Sequence, residues 1–574
     1  MARLLAFPFL ALTLAVVIAC GPPETPGPPG PRQAPGERQA ERFMVSAAHP
    51  LAVEAGLEMM RRGGSAVDAA IAVQFVLGFV EAPETGIGGG GFLLHLDAAS
   101  GQVEFLDGRE TAPAAATPER FTLLGQPVPR VLAIPTGRAV GVPGLVALLE
   151  LAHERHGRLA WSELAQPAIR LAEDGVPMPG RLQRESGRDL SLRLFADTRR
   201  MFHAPARRPG EPWRNPDYAA SLRKIAADGA AAFYQGEIAD SLVERVRARR
   251  PWAADMTLED LQSYRALERA PVCAPYRRWT VCGAAPPSSG GVAVLQILGM
   301  LERFPMATLG PDSAEAIHLL IEAHRLAFAD RERYLGDPDF VTVPVEGLLE
   351  RDYLARRSLL IDPQRAMDRA LPGTPSPAQP AAGMNGPTAA GGGTSHVTIV
   401  DAQGNVVALT SSVEAPFGSR MSVGGFLLNN QLTDFSFRPR DREREHPNAV
   451  APGKRPGSSM SPVIVLDEQG EVRLAIGARG GSRIIAYVAK ALLGVLDWEL
   501  DIQEAIALPN FAYTDGRLEL ERGTALATRR EEFRARGHRV REAELASGLH
   551  GIERHGEGWR GGADPRLEGV ARGD

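Results

Sequence analysis

GGGTSHVTIVDAQGNVVALTSSVE, residues 391 to 414, opens on three glycines, turns at Thr394 into an alternating strand-like run, bends, and resumes as a second run. The alternation predicts strands over 396–400 and 406–411 joined by a turn at Ala402-Gln403-Gly404-Asn405. Upstream, residues 371–393 carry neither charge nor core pattern and are expected to form a mobile loop. Downstream, strands are expected over 463–466 and 473–476, followed by a helix over 482–496. Toward the N-terminus, apolar spacing predicts helices over 50–63 and 66–80, the second capped by Ser65, and then strands over 92–96 and 103–106. Residues 138–330 read mainly as helices joined by Pro/Gly loops, including 144–156, 161–174 and 314–334. Strands bracketed by helices on both sides imply a layered α/β body.

The chain has 574 residues with 64 basic and 69 acidic side chains, a net charge of -5, so no basic footprint for nucleic acid is present. A small-molecule partner is expected. The glycine cluster Gly86 to Gly91 lacks the Lys-Ser/Thr of a phosphate loop and precedes a strand instead of opening a helix, which argues against a nucleotide site. The twelve histidines form no paired helical motif, so neither a metal nor another cofactor is implied. At the N-terminus, Arg3 and an apolar run from Leu4 to Ile18 suit an export signal and are too short for a membrane span. In Ala19-Cys20-Gly21 the small residue before the cysteine suggests lipidation of Cys20 after removal of residues 1–19; an ordinary signal peptide with an incidental cysteine is the alternative. Residues 20–43, rich in Pro and Gly, then form a tether, and the folded body begins near Met44. The other cysteines, Cys273 and Cys282 in PVCAPYRRWTVCGA, face each other across a two-residue turn at Arg277-Arg278. They form either a disulfide, which export permits, or a pair of buried thiols.

Glycines before Thr394 suit a specific chemistry. A threonine hydroxyl is a weak nucleophile unless a base lies beside it, and its own free α-amine is the most compact base available. Thr394 must therefore become an N-terminus. Gly393 leaves its carbonyl open to the Thr394 hydroxyl, so an N-to-O acyl shift followed by ester hydrolysis would cut the chain there. The liberated amine, with an ordinary pKa of about 7.7–8.0, would then accept the hydroxyl proton.

The segment from Thr394 to Glu414 resembles the start of the small subunit of the γ-glutamyltranspeptidases, exported N-terminal-nucleophile hydrolases. The resemblance continues, in the family's order, through MVSAAHPLAVEAGLEMMRRGGSAVDAA (44–70), GIGGGGFLL (86–94), DGRETAP (107–113), PPSSGG (286–291), YLGDPDF (334–340), LLNNQLTDFS (427–436), KRPGSSMSP (454–462), GARGGSRII (477–485) and GADPR (562–566). It implies a four-layer αββα sandwich cut into a large subunit, 44–393, and a small subunit, 394–574, which stay together as a heterodimer. The implied reaction is γ-glutamyl transfer from glutathione and other γ-glutamyl compounds to water or to amino acid or dipeptide acceptors.

By the same resemblance Arg109 grips the substrate α-carboxylate with help from Ser458 and Ser459, while Asp434, Gln431 and Glu414 receive the α-ammonium. Many relatives have asparagine at the position of Glu414. Gly480 and Gly481 match the paired amide donors of an oxyanion hole, and Ser412 stands where a threonine usually bonds the nucleophile. His396 falls on the strand face of Thr394 and is expected to be structural. Between Phe437 and Asn448 the loop is short and lacks an aromatic tip, which implies an open acyl pocket. Two rivals remain: a cephalosporin or glutaryl acylase of the same family, and a non-catalytic lipoprotein that binds γ-glutamyl compounds.

Overall fold

The computed structural model describes residues 38–249, 252–376, 392–441 and 444–574. Two seven-stranded antiparallel sheets form the centre. In the first the order is Val570–Gly573, Met44–Ala47, Gly393–Val400, Val406–Glu414, Gly90–Asp97, Gln102–Gly108, Leu267–Arg269. In the second it is Gln39–Ala40, Gly558–Ala563, His550–His555, Val472–Gly477, Val463–Leu466, Trp279–Gly283, Val272–Tyr276. Period-two alternation sorts the side chains of the central strand. Val397 and Ile399 join the core formed with helices Pro50–Arg61 and Ala66–Val80, whereas Val400 belongs to the second core with helices Gly290–Leu301, Ala314–Tyr334 and Ile484–Leu496. Thr398, on the same face as Val400, donates from its hydroxyl to the His550 carbonyl of the other sheet at 3.1 Å. Helices thus cover the outer faces of two stacked sheets, the four-layer αββα arrangement expected from the sequence.

Most expected elements lie where the patterns put them. Helix Ala66–Val80 starts with a capping box between Ser65 and Asp68, and the long helix spans Ala314–Tyr334. The single helix expected over 161–174 is instead two, Trp161–Leu164 and Gln166–Asp174. Pro167 has no N–H to continue the first helix and is suited to the first turn of the second. The paired body starts before Met44, because Gln39 and Ala40 pair with Arg560 and Trp559. Strands His550–His555, Gly558–Ala563 and Val570–Gly573 escaped the pattern reading; Gly558, Gly561 and Gly562 dilute the alternation of the middle strand. The N-terminal apolar run, Cys20 and most of the glycine-rich loop lie outside the described residues.

Cys273 pairs with Cys282 across the hairpin and is joined to it by a disulfide, with Cα atoms 4.1 Å apart. Because it closes a short loop at a sheet edge, removing it in a Cys273→Ala/Cys282→Ala variant should cost about 2–3 kcal/mol, seen as a lower urea midpoint. Turnover should be unchanged, since the hairpin contributes nothing to the pocket described next.

Candidate active site

The strands Gly393–Val400 and Val406–Glu414 pair as Thr394 with Ser412 and His396 with Thr410, and the register slips between Gly393 and Thr394. Gly393 therefore pairs with Glu414, a non-glycine residue held at φ 80°, so a bulge and a left-handed residue lie beside the Gly393-Thr394 bond. The glycine cluster at 86–91 makes room for this strand: a Cβ on Gly89 would come within 2.1 Å of the Ser412 carbonyl oxygen. Close strand approach accounts for the glycine at this position.

Three polar contacts converge on the bond. Ser412 Oγ donates to the Gly393 carbonyl at 2.6 Å, lies 3.2 Å from Thr394 Oγ1, and accepts from the Glu414 amide at 2.9 Å. With its one proton committed to Gly393, Ser412 accepts from the Thr394 hydroxyl. The Thr394 amide donates to Glu84 Oε2 at 3.1 Å, and Glu84 Oε1 is held by Arg181 at 2.6 Å and Arg479 at 2.7 Å. Arg181 also pairs with Glu81, whose carboxyl burial pushes up to about 7. Gly480 and Gly481, next to Arg479, have φ of 127° and 60°, conformations that suit glycine. Gly481 lines the pocket, and an added Cβ on Gly392 would sit 3.6 Å from the Gly481 amide nitrogen.

That pocket, about 40 Å³, is lined by Thr394, Ser412, Glu414, Arg109, Gln431, Asp434, Ser458, Ser459 and Gly481, so the tertiary structure gathers nearly every site residue expected from the sequence. Gly480 follows one residue behind the lining. Arg109 is buried; its Nη2 donates to Asp434 Oδ2 at 2.7 Å and to the Gly457 carbonyl at 2.8 Å. Glu110 lies 3.7 Å from Arg109 Nη1, yet neither of its oxygens has a hydrogen-bond partner among the described residues. Burial raises its pKa to about 8, so it is mostly neutral at pH 7 and leaves the Arg109 charge directed at Asp434. Asp434 resists the same burial because Arg109 and Arg130 flank it and hold its pKa below the ordinary value. Burial raises the Glu414 pKa even though Arg130 opposes the shift.

Ser459 Oγ accepts from Arg331 at 3.0 Å, and the Ser458 carbonyl accepts from the Ser289 amide and hydroxyl, which ties PPSSGG to KRPGSSMSP. His396 is buried, with its ring nitrogens 2.8 Å from Thr410 Oγ1 and 3.0 Å from Thr398 Oγ1; burial holds its pKa well below the ordinary value, as a structural histidine requires. Two His/Glu clusters occur among the described residues, His95-Glu104-His156 and His318-Glu322-His538, and neither contributes to the pocket. Sequence reasoning missed Glu84, Arg130, Arg181, Arg331 and Arg479. Only Arg479, directly before Gly480, carried a positional hint.

A second cavity of about 510 Å³ adjoins the small pocket, sharing Arg331, Asp434, Gly457 and Ser458 with it. Phe437 stacks on Phe121 at 4.5 Å, and the short strands Arg440–Asp441 and Arg444–Glu445 follow. Arg130 lines the larger cavity and bonds Glu414, which lines the smaller pocket.

Comparisons with known proteins agree with this geometry. The Gamma-glutamyltranspeptidase family model matches residues 52–573. A glutathione hydrolase proenzyme from Pseudomonas sp. (strain A14) is 38% identical over 82% of this chain and 81% of that protein. The acylase ACY 1 proenzyme from Pseudomonas sp. (strain SE83) is 35% identical over 91% of each. The crystal structure of cephalosporin acylase from Bacillus halodurans superposes with a TM-score of 0.82 at 27% identity, covering 96% of this chain and 99% of that one. A match over nearly the whole described body, with the nucleophile hairpin and its pocket assembled as the motifs require, places the chain in the γ-glutamyltranspeptidase family.

Proposed function

We propose that this chain is a proenzyme that cuts itself between Gly393 and Thr394 and then works as a γ-glutamyltransferase and glutathione hydrolase. The observation that carries the reading is the Thr394-Ser412-Gly393 contact set: Ser412 Oγ lies 3.2 Å from the Thr394 hydroxyl, from which it accepts, and 2.6 Å from the Gly393 carbonyl oxygen, to which it donates. Thr394 Oγ1 attacks the Gly393 carbonyl carbon while Ser412 stabilises the developing oxyanion; the hydroxyl proton passes to the Thr394 nitrogen as the C–N bond breaks, giving an amine and an ester, and water hydrolyses the ester to the Gly393 carboxylate and the free Thr394 hydroxyl. The freed α-amine stands beside Glu84 and becomes the base for substrate turnover.

In turnover Thr394 Oγ1 attacks the γ-carbonyl of the donor, and its proton passes through the α-amine to the departing amine. The oxyanion rests on the Gly480 and Gly481 amides, at a helix N-terminus where the dipole also favours negative charge. Water or an acceptor amine then releases the acyl group. Arg109, with Ser458 and Ser459, serves the donor α-carboxylate; Asp434, Gln431 and Glu414 serve its α-ammonium. The export reading rests on residues 3–21, and metabolic labelling with a clickable fatty acid tests it: signal on wild-type protein and none on Cys20→Ser is expected.

Incubating purified protein with glutathione, a γ-glutamyl anilide and a glutaryl-cephalosporin tests the activity. Release of glutamate from glutathione supports the reading; inertness toward the first two overturns it. The Glu84 carboxylate stabilises the ammonium form of the Thr394 amine, so it delays formation of the free base as pH rises. Glu84→Gln should therefore move the rising limb of kcat/KM to lower pH by about one unit. A limb that stays in place would remove Glu84 from this role.

A further inference from the structure

The three residues that would receive a substrate ammonium already have a cation among them. Arg130 Nη2 donates to Glu414 Oε1 at 2.6 Å and to Asp434 Oδ1 at 3.0 Å. One nitrogen bridging two carboxylates is the arrangement an α-ammonium would adopt. The remaining oxygens are also taken: Glu414 Oε2 by Asn430, and Asp434 Oδ2 by Arg109 at 2.7 Å and Gln431 Nε2 at 3.1 Å. Gln431 Oε1, buried and lining the pocket, has no hydrogen-bond partner among the described residues.

Arg130 also links the two cavities, since it lines the outer 510 Å³ space while its guanidinium bonds Glu414 and Asp434, which line the inner 40 Å³ pocket. The Arg130 backbone belongs to the one-turn helix Arg130–Ala133, in which Val131 and Leu132 are 72% and 55% exposed while Ala133 is buried against Leu432 and Phe435. An acyl group carrying an ammonium must displace a guanidinium of equal charge. An acyl group without one finds both carboxylates already compensated.

We infer that Arg130 is a specificity-determining residue which supplies the cation for the Glu414-Asp434 pair, so that the site takes ω-carboxyacyl amides lacking an α-amino group, the glutaryl class, alongside γ-glutamyl amides. The inference rests on the pocket being the acyl-donor site proposed above. It assigns the residue by geometry alone: no motif marks PVPRVLA, and the resemblance gives this position no role.

The test compares wild type, Arg130→Met and Arg130→Lys in two measurements. In the first, kcat/KM is determined for γ-glutamyl and glutaryl p-nitroanilides. The γ-glutamyl-to-glutaryl ratio should rise at least about tenfold in Arg130→Met and stay near wild type in Arg130→Lys, which keeps the charge. An unchanged ratio, or an equal gain on both substrates, which would mark Arg130 as a steric gate only, overturns the inference. In the second, calorimetry compares L-glutamate with glutarate, and the Kd ratio should shift in the same direction. Binding does not require turnover, so a shifted binding ratio in protein that splits neither anilide would sink the proposed activity and leave Arg130's role standing. Should Arg130→Met fail to fold, wild type alone decides: a preference for glutamate over glutarate beyond about a thousandfold overturns the inference.

Discussion

Thr394→Ala should yield one uncut chain and no detectable turnover, whereas wild type should separate on denaturing electrophoresis into two pieces. At 61.5 kDa over 574 residues, the average residue of about 107 Da puts those pieces near 40 kDa for 20–393 and 19 kDa for 394–574. The effect is all-or-none because one hydroxyl serves twice. Without Oγ1 there is no attack on Gly393, hence no free α-amine and no base, and the acyl acceptor of the second reaction is missing as well. Ser412→Ala separates the two events in degree. It removes the donor 2.6 Å from the Gly393 carbonyl, so cleavage should slow by about 10²–10³, the usual cost of one oxyanion donor. Mass spectrometry of fresh protein reads both variants. An intact Gly393-Thr394 bond in fully active wild type would end the reading.

Arg109→Lys should still be cut, because Arg109 makes no contact with Thr394, Ser412 or Gly393 among its described bonds. Its turnover of a γ-glutamyl anilide should fall about a hundredfold, because a charge-assisted hydrogen bond is worth about 1.5–3 kcal/mol and 1.4 kcal/mol is a factor of ten. Lysine keeps the charge beside Asp434 but loses the planar fork that now reaches Asp434 and the carbonyls of Pro456 and Gly457 together. Arg109→Ala is the harsher variant, since it removes one of the two cations that flank Asp434 and risks the fold itself. Normal cutting with reduced kcat/KM assigns Arg109 to the substrate; normal kcat/KM removes it from the site.

The residues flanking Thr394 were legible because their constraints are local. Gly393 leaves a carbonyl open, the alternation from His396 to Val400 announces a strand, and the turn at 402–405 returns a second strand beside it. The hairpin follows from period two and one short loop, but its register, Val400 with Val406 and so Thr394 with Ser412, is set by the structure. Arg109, Asp434 and Ser459 sit in short motifs whose residue types suit a charged, bifunctional ligand, and the structure brings these motifs to one pocket. The C-terminal strands were less legible, because glycines interrupt a pattern that the partner strands supply.

What the sequence by itself determined is the local layout at one bond: a threonine hydroxyl at the start of a strand, placed directly after the unhindered carbonyl of Gly393. Only the tertiary structure could decide the electrostatics around that bond. Glu84 meets the Thr394 amide from 310 positions away, and Arg130 meets Glu414 from 284. Such pairings are set by how the sheets stack and by which segments pack beside the pocket. A charge contributed from a distant segment leaves no periodic or neighbouring trace in its own stretch of chain, because its partner is chosen by packing and not by spacing.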